Sequence, residues 1–271
     1  MWLSGCSGWS WLAFRRRQGA RVPNSVRLES QPTPNGVRLS RRASKGDTVG
    51  RRSAEESTRA PVNRERTLAV ALRVADGEGI EAVTMRRLGR ELGVEAASLY
   101  HHLHGKDQIL DGLVDVVAAE IELPDPSTEW REAISQRAHR TRTVLLSHRW
   151  AVSLMASRNT PGPATLGLLE SGIRSFREGG FSIAAAAHAI STVDSYVHGF
   201  VLQEANLPFR DQSELAIMTT SIMEAFPATT FPYLFEMTVE HVLQPDYDYG
   251  KEFDSGLTLV LDGVAALRSV E

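Results

Sequence analysis

Apolar residues recur every three to four positions from residue 63 onward, and nothing resembles the alternation of a strand, so the pattern predicts an all-α protein. A first helix is expected from Asn63, a suitable N-cap, to Asp76, with Leu68, Leu72 and Ala75 on one stripe and Gly77 and Gly79 ending it. A later helix opens at Gly105-Lys106-Asp107 and places Ile109, Leu110, Leu113, Val116 and Val117 at helical spacing before Pro124 and Pro126 stop it. Beyond them, helices are expected over 130–147, 150–157, 163–178, 182–204, 211–225, 231–243 and 250–269, separated by Gly162-Pro163, Gly179-Gly180, Pro208, Pro227 and Pro245. The prolines at 124 and 126 divide a small head, 63–123, from a larger helical body, 124–271. Residues 1–62, rich in Arg, Ser, Pro and Gly and without period, form an extension expected to be disordered.

The stretch Thr84–Lys106, TMRRLGRELGVEAASLYHHLHGK, predicts two short helices around a tight turn. Thr84 is a good N-cap, and Val83 and Leu88 stand at the spacing of a hydrophobic staple. Leu88 and Leu92 share a face, and Gly93 sits where helices commonly end in the left-handed conformation. The second helix is expected from about Glu95 to His102, with Leu99 and Leu103 inward and Ala96, Ala97, Ser98, Tyr100, His101 and His102 outward or at the borders. That face, with few acids and several hydroxyl, aromatic and imidazole groups, suits a phosphate-lined groove. The arrangement is a helix-turn-helix, the alternative being an ordinary helical hairpin inside an all-α domain.

Charge sharpens this picture. The net charge of -3 conceals an extension through residue 63 with 12 Lys+Arg against 4 Asp+Glu, a balanced stretch 64–110 with 7 of each, and a remainder with 11 against 22. An acidic body would repel a duplex and leave the head as the favourable approach. The single cysteine, Cys6, excludes an intramolecular disulfide and suits a reducing cytoplasm. No apolar run reaches membrane-spanning length, and the opening apolar stretch precedes its arginines, the reverse of an export signal. The extension is either a basic arm adding phosphate contacts or a dispensable segment.

The run VTMRRLGRELGVEAASLYHHLHGKDQIL resembles the N-terminal DNA-binding domain of the TetR family, with Thr84, Arg86 and Arg87, Gly93, Leu99-Tyr100, His102 and Lys106 carrying the pattern. LLSHR (145–149), GGFSIAAAAHAISTVDSYVHGFVLQE (179–204) and FDSGLTLVLDGVAAL (253–267) are similar to the regulatory domain of its tetracycline-repressor branch. The resemblance implies a three-helix helix-turn-helix head joined to a helical ligand-binding and dimerisation domain. Thr84, Tyr100, His102 and Lys106 would then contact phosphates, Arg86 would reach guanine edges, and Ala96, Ala97, Ser98 and His101 would face bases. Segments 182–204 and 250–269 would form the dimer interface, with Ala184 to Ala187, Gly256, Gly263 and Ala265-Ala266 allowing close approach either there or within one subunit. Pocket-wall candidates are Met155, Arg158, Phe176, Ser195, His198, Phe200 and Gln203, against plain core packing for Met155, Phe176 and Phe200. Met155, Ser195 and Gln203 stand where the branch places metal-shell groups, so the effector is expected to be metal-free and more apolar. His101, His102 and His104 cannot share one ion while helical, and no metal or cofactor is expected. Asp194 and His198, four apart, are candidates for a pair on one face. No G-x-S-x-G, Walker loop or H-E-x-x-H occurs, so no enzyme is expected. The expected function is a cytoplasmic, homodimeric, effector-responsive repressor on a pseudo-palindromic DNA operator, without membrane association. The alternative is a helical small-molecule-binding protein that does not bind DNA.

Overall fold

The computed structural model describes residues 62–100, 105–158, 160–209, 211–225 and 228–269, and every regular element among them is helical. The basic extension, His101, His102 and His104 lie outside the described residues. Helix α1 (Arg64–Glu78) starts where Asn63 Oδ1 accepts the Arg66 N–H at 2.8 Å, runs two residues past the end expected at Asp76, and stops where Gly79 (φ 86°) turns the chain. A single 3-10 turn, Ile80–Ala82, leads to α2 (Met85–Leu92), then α3 (Ala96–Leu99) and α4 (Lys106–Ala119). Leu68, Ala71, Val83, Leu88, Leu92, Leu99, Ile109 and Leu113 from these helices close one apolar cluster.

The body follows as α5 (Trp130–Ser147), α6 (Ala151–Ser157), α7 (Pro163–Glu178), α8 (Ile183–Ala205), α9 (Gln212–Ala225), α10 (Pro232–Met237) and α11 (Tyr249–Ala266). The helix expected over 231–243 is instead α10 followed by a π-helical turn, Thr238–Val242, and the last turn of the chain's final helix tightens to 3-10 at Leu267–Ser269. Ser182 caps α8 by accepting the Ala185 N–H at 3.2 Å. Helices α5, α7 and α11 all pack on α8, and Ile134, Ala138, Leu145, Ala189, Val193, Val197, Val201, Phe253 and Leu257 fill the space between them.

Helix α6 lies where the head and body clusters meet: Leu154 packs on the first, Met155 on the second and Trp150 on both. Helix α4 supplies polar contacts to the same region. Its Asp107 and Asp111 take the Arg158 guanidinium at 3.1 and 2.6 Å, and Asp115 accepts the N–H and hydroxyl of Thr165 at 2.9 and 3.1 Å. The three aspartates are four residues apart, so one face of α4 presents carboxylates. Asp115 thereby caps the N-terminus of α7, where unpaired N–H groups favour a negative charge. Gly162 permits the approach, because a Cβ there would fall 2.2 Å from the Asp115 carboxyl carbon.

Candidate functional site

The local sequence fixes the turn between α2 and α3. Thr84 Oγ1 accepts the Arg87 N–H at 3.2 Å, and Val83 and Leu88 on either side of the cap are both fully buried. Gly93 adopts φ 70° and ψ 33°, the left-handed conformation expected there. A second glycine, Gly89, which the helical pattern does not single out, also shapes the turn. A Cβ on it would stand 2.8 Å from the Val94 carbonyl oxygen and 3.2 Å from the Ala96 nitrogen, so α2 and α3 touch backbone to backbone at this point. Its signal was present as a small residue one turn before Gly93.

Leu99 anchors α3 from below with no exposed surface, while Ala97, Ser98 and Tyr100 stand in solvent and Ala96 is half-buried against the turn. Arg86 is exposed, whereas Arg87 folds back to Glu78 at 2.5 Å and Glu91 at 3.1 Å. The adjacent arginines therefore separate into one free to reach outward and one that ties α2 to the end of α1. Lys106 begins α4 with its amine 3.8 Å from the well-exposed Glu81 carboxylate, an exchangeable contact. Thr84, Arg86, Ser98 and Tyr100 are exposed, Thr84 at the start of α2 and Tyr100 at the end of α3. His101 and His102 fall outside the described residues.

The expected pocket residues do not gather at one place. Phe176 is fully buried in an aromatic group with Trp130 and Phe181, ring centroids 5.9 and 5.2 Å away. Phe200 lies at the far end of α8, stacked on Tyr249 at 5.1 Å and edge-on to Phe253 at 5.2 Å. Phe181 precedes α8, and Phe200 is eighteen residues into it, so the two groups are separated by roughly 25 Å of helix. Gln203 belongs with Phe200, accepting the Tyr249 hydroxyl at 3.2 Å. Arg158 is committed to Asp107 and Asp111, which raise its pKa, so it holds α4 in place. Met155 is half-buried, and Ser195 is exposed on α8.

Asp194 and His198 do not pair through their side chains. The His198 Nδ1 is 2.7 Å from the Asp194 main-chain oxygen, while the Asp194 carboxylate takes the buried Arg137 guanidinium at 2.7 Å. Arg137 Nε and Thr141 Oγ1, one turn apart on α5, are buried without hydrogen-bond partners. A second ion pair, Arg142 with Glu204 at 2.5 Å, is half-buried, with the guanidinium over the Phe253 ring at 4.9 Å. Next to it burial pushes the Tyr196 phenol up to about 12, and its hydroxyl donates to the Phe253 carbonyl at 2.8 Å. An open groove of about 420 Å³ between α5 and α11, lined by Glu132, His139, Asp254 and Leu257 among others, contains none of the seven expected pocket residues. No cluster of three or more metal-ligating side chains occurs among the described residues.

A short helix held by one buried leucine, meeting its predecessor at a left-handed glycine and showing a hydroxyl-bearing face to solvent, is a helix-turn-helix arrangement of the kind that DNA-binding proteins place in a major groove. Comparison with known proteins narrows the class. Residues 123–268 match the model of the tetracyclin repressor-like C-terminal domain, and residues 68–113 match that of the bacterial regulatory proteins of the tetR family. The chain belongs to the tetR family and is a ligand-responsive, DNA-binding transcriptional repressor of it. An HTH-type transcriptional regulator of Saccharopolyspora erythraea is 28% identical over 218 residues, covering 80% of this chain and 90% of that protein. The class C tetracycline repressor protein of Escherichia coli is 27% identical over 214 residues, covering 76% and 92%. Among solved structures, the TetR family protein ActR of Streptomyces coelicolor in complex with actinorhodin is similar at a TM-score of 0.67 and 28% identity, covering 76% of this chain and 97% of that one. No helix among the described residues is long and apolar enough to cross a membrane.

Proposed function

We propose that the chain acts in the cytoplasm as a homodimer without catalytic activity, binding a pseudo-palindromic operator through residues 63–123 and releasing it when a metal-free small molecule binds the body, 124–271. The observation that carries this reading is the outward face of α3: Leu99 is buried while Ser98 and Tyr100 are not. Thr84, Tyr100, His102 and Lys106 are assigned to phosphates, and Arg86, Ala96, Ala97, Ser98 and His101 to base edges.

The dimer assignment is supported by rows of exposed small and apolar residues on two neighbouring helices. Ala184, Ala187, Ser191, Ser195 and Leu202 project from α8, and Ser255, Leu259 and Gly263 from α11. Ile183 and Leu259 leave about three-quarters of their surface in water, 75% and 73%, which a partner would cover. Gly256 is used otherwise, since a Cβ there would lie 2.3 Å from the Tyr196 hydroxyl of the same subunit.

For the effector, Met155, His198, Phe200 and Gln203 remain candidates in the proposal, with Ser195 reaching it only from the dimer face. Phe176 and Arg158 are given structural parts instead. The unpartnered Arg137 Nε and Thr141 Oγ1 favour a ligand carrying hydrogen-bond-accepting oxygens. That ActR is solved with actinorhodin and with (S)-DNPA, and that other relatives are tetracycline repressors, supports an organic effector. The test is operator release in gel-shift assays across a panel of such compounds. Compounds that bind and raise the unfolding midpoint should also release DNA, and binding without release would overturn the coupling.

A further inference from the structure

His148 ends α5 at the junction with the head and is largely buried, its side chain 10% exposed. Its Nδ1 lies 2.7 Å from Asp76 Oδ1, on α1 of the head, and its Nε2 lies 3.0 Å from Glu120 Oε2, at the end of α4. Trp150, two residues on, donates its indole N–H to the same Asp76 oxygen at 2.8 Å and sets its ring edge-on to the imidazole. Asp76 and Glu120 are the titratable groups that face His148 from α1 and α4. On its own segment Arg149 turns the other way, to the Ala205 carbonyl at 3.5 Å.

A neutral imidazole has one N–H and one bare nitrogen. Ionised carboxylates offer no proton, so both contacts hold together only when the ring carries two protons. Neutral His148 would keep one carboxylate and set a lone pair against the other. We propose that His148 is a proton-operated latch between the DNA-binding head and the body, gripping α1 and α4 when charged and releasing one of them when neutral. The inference rests on the repressor reading for its effect on DNA, while the latch itself rests on the geometry alone.

Burial opposes the charged ring, but the hydrogen bonds it donates to Asp76 and Glu120, with the attraction of their charges, outweigh that, and the pKa of His148 is raised above its ordinary 6.5. A group whose pKa is raised on folding contributes stability that is complete below the unfolded value. That contribution is lost as the pH rises through the folded one. The latch is therefore closed in mildly acid conditions and opens only as the pH rises through the raised value of His148, above the ordinary 6.5.

The experiment uses the full chain with ring-labelled histidine and follows imidazole resonances by NMR, His148 being assigned as the signal missing from His148→Gln. The expected midpoint lies above 6.5, and Glu120→Gln, which leaves the packing in place, should lower it by roughly one unit. A midpoint at or below 6.5, or one unmoved by Glu120→Gln, overturns the latch. Should His148→Gln fail to fold, the signal displaced in Glu120→Gln and in Asp76→Asn provides the assignment. No signal displaced in both overturns the latch equally. Affinity for a duplex enriched from genomic fragments by the same protein is then measured between about pH 6 and about pH 8.5. The wild type should weaken several-fold more than His148→Gln or Glu120→Gln over that range. Equal pH dependence in all three overturns the coupling of latch to head. Failure to enrich any duplex counts against the repressor reading, and the NMR titration still decides the latch.

Discussion

At Gly89 a single hydrogen decides whether the two helices of the head can meet. Gly89→Ala puts a methyl group 2.8 Å from the Val94 carbonyl oxygen, against backbone that has no room to yield. The expected loss is about 1–3 kcal/mol of stability, measured by urea unfolding, together with weaker DNA binding as the outer face of α3 tilts. Substitutions on the surface separate differently. Tyr100→Ala and Lys106→Ala should weaken binding to every duplex, and Lys106→Ala should flatten the salt dependence by about one counterion. Changes at Ser98 or Arg86 should alter which duplex is preferred, which a selection from randomised sequence would show. Unchanged gel-shift affinity in both Tyr100→Ala and Lys106→Ala would count against the docking geometry. What was legible at this scale was local. Asn63 and Thr84 sit three residues from the N–H groups they accept, so the cap is written beside its helix. The division of labour between Arg86 and Arg87 was not, because it depends on Glu78 at the end of another helix.

Among the elements, α4 makes the connection between head and body, through Asp107, Asp111 and Asp115 on one face and apolar residues on the other. Asp115→Ala removes the cap of α7 and should cost about 1–2 kcal/mol, seen as a lower unfolding midpoint. Phe176→Ala should cost more, about 3–5 kcal/mol, because it empties a fully buried site between Trp130 and Phe181. If Phe176→Leu altered effector affinity as much as Phe200→Leu, the separation of the two rings along α8 would be the wrong guide to the pocket. Helix positions and the all-α class followed from the apolar period, since each helix signals its own stripe. The pocket did not follow, because sequence spacing along α8 and α7 says nothing about which turns of different helices oppose each other. Arg158 illustrates the gap: its partners lie 47 and 51 residues earlier, and nothing near it in the chain announces them. Arg137 is similar, a charge in an apolar stripe that only Asp194, 57 residues on, makes tolerable.

For the molecule as a whole, the proposed dimer sets the distance between two recognition helices, which must match successive major-groove faces roughly 34 Å apart. Leu259→Glu places a charge among the exposed small and apolar residues of α8 and α11 and should produce monomers in sedimentation experiments, with operator affinity falling at least about tenfold. Whether paired heads grip one palindromic duplex is decided by selecting genomic fragments with the purified chain and footprinting the winner. The expected outcome is an enriched inverted repeat, protected on two neighbouring major-groove faces at two chains per duplex. A pool that emerges unenriched, or a single unpaired footprint at one chain per duplex, would contradict it and favour a helical small-molecule-binding protein.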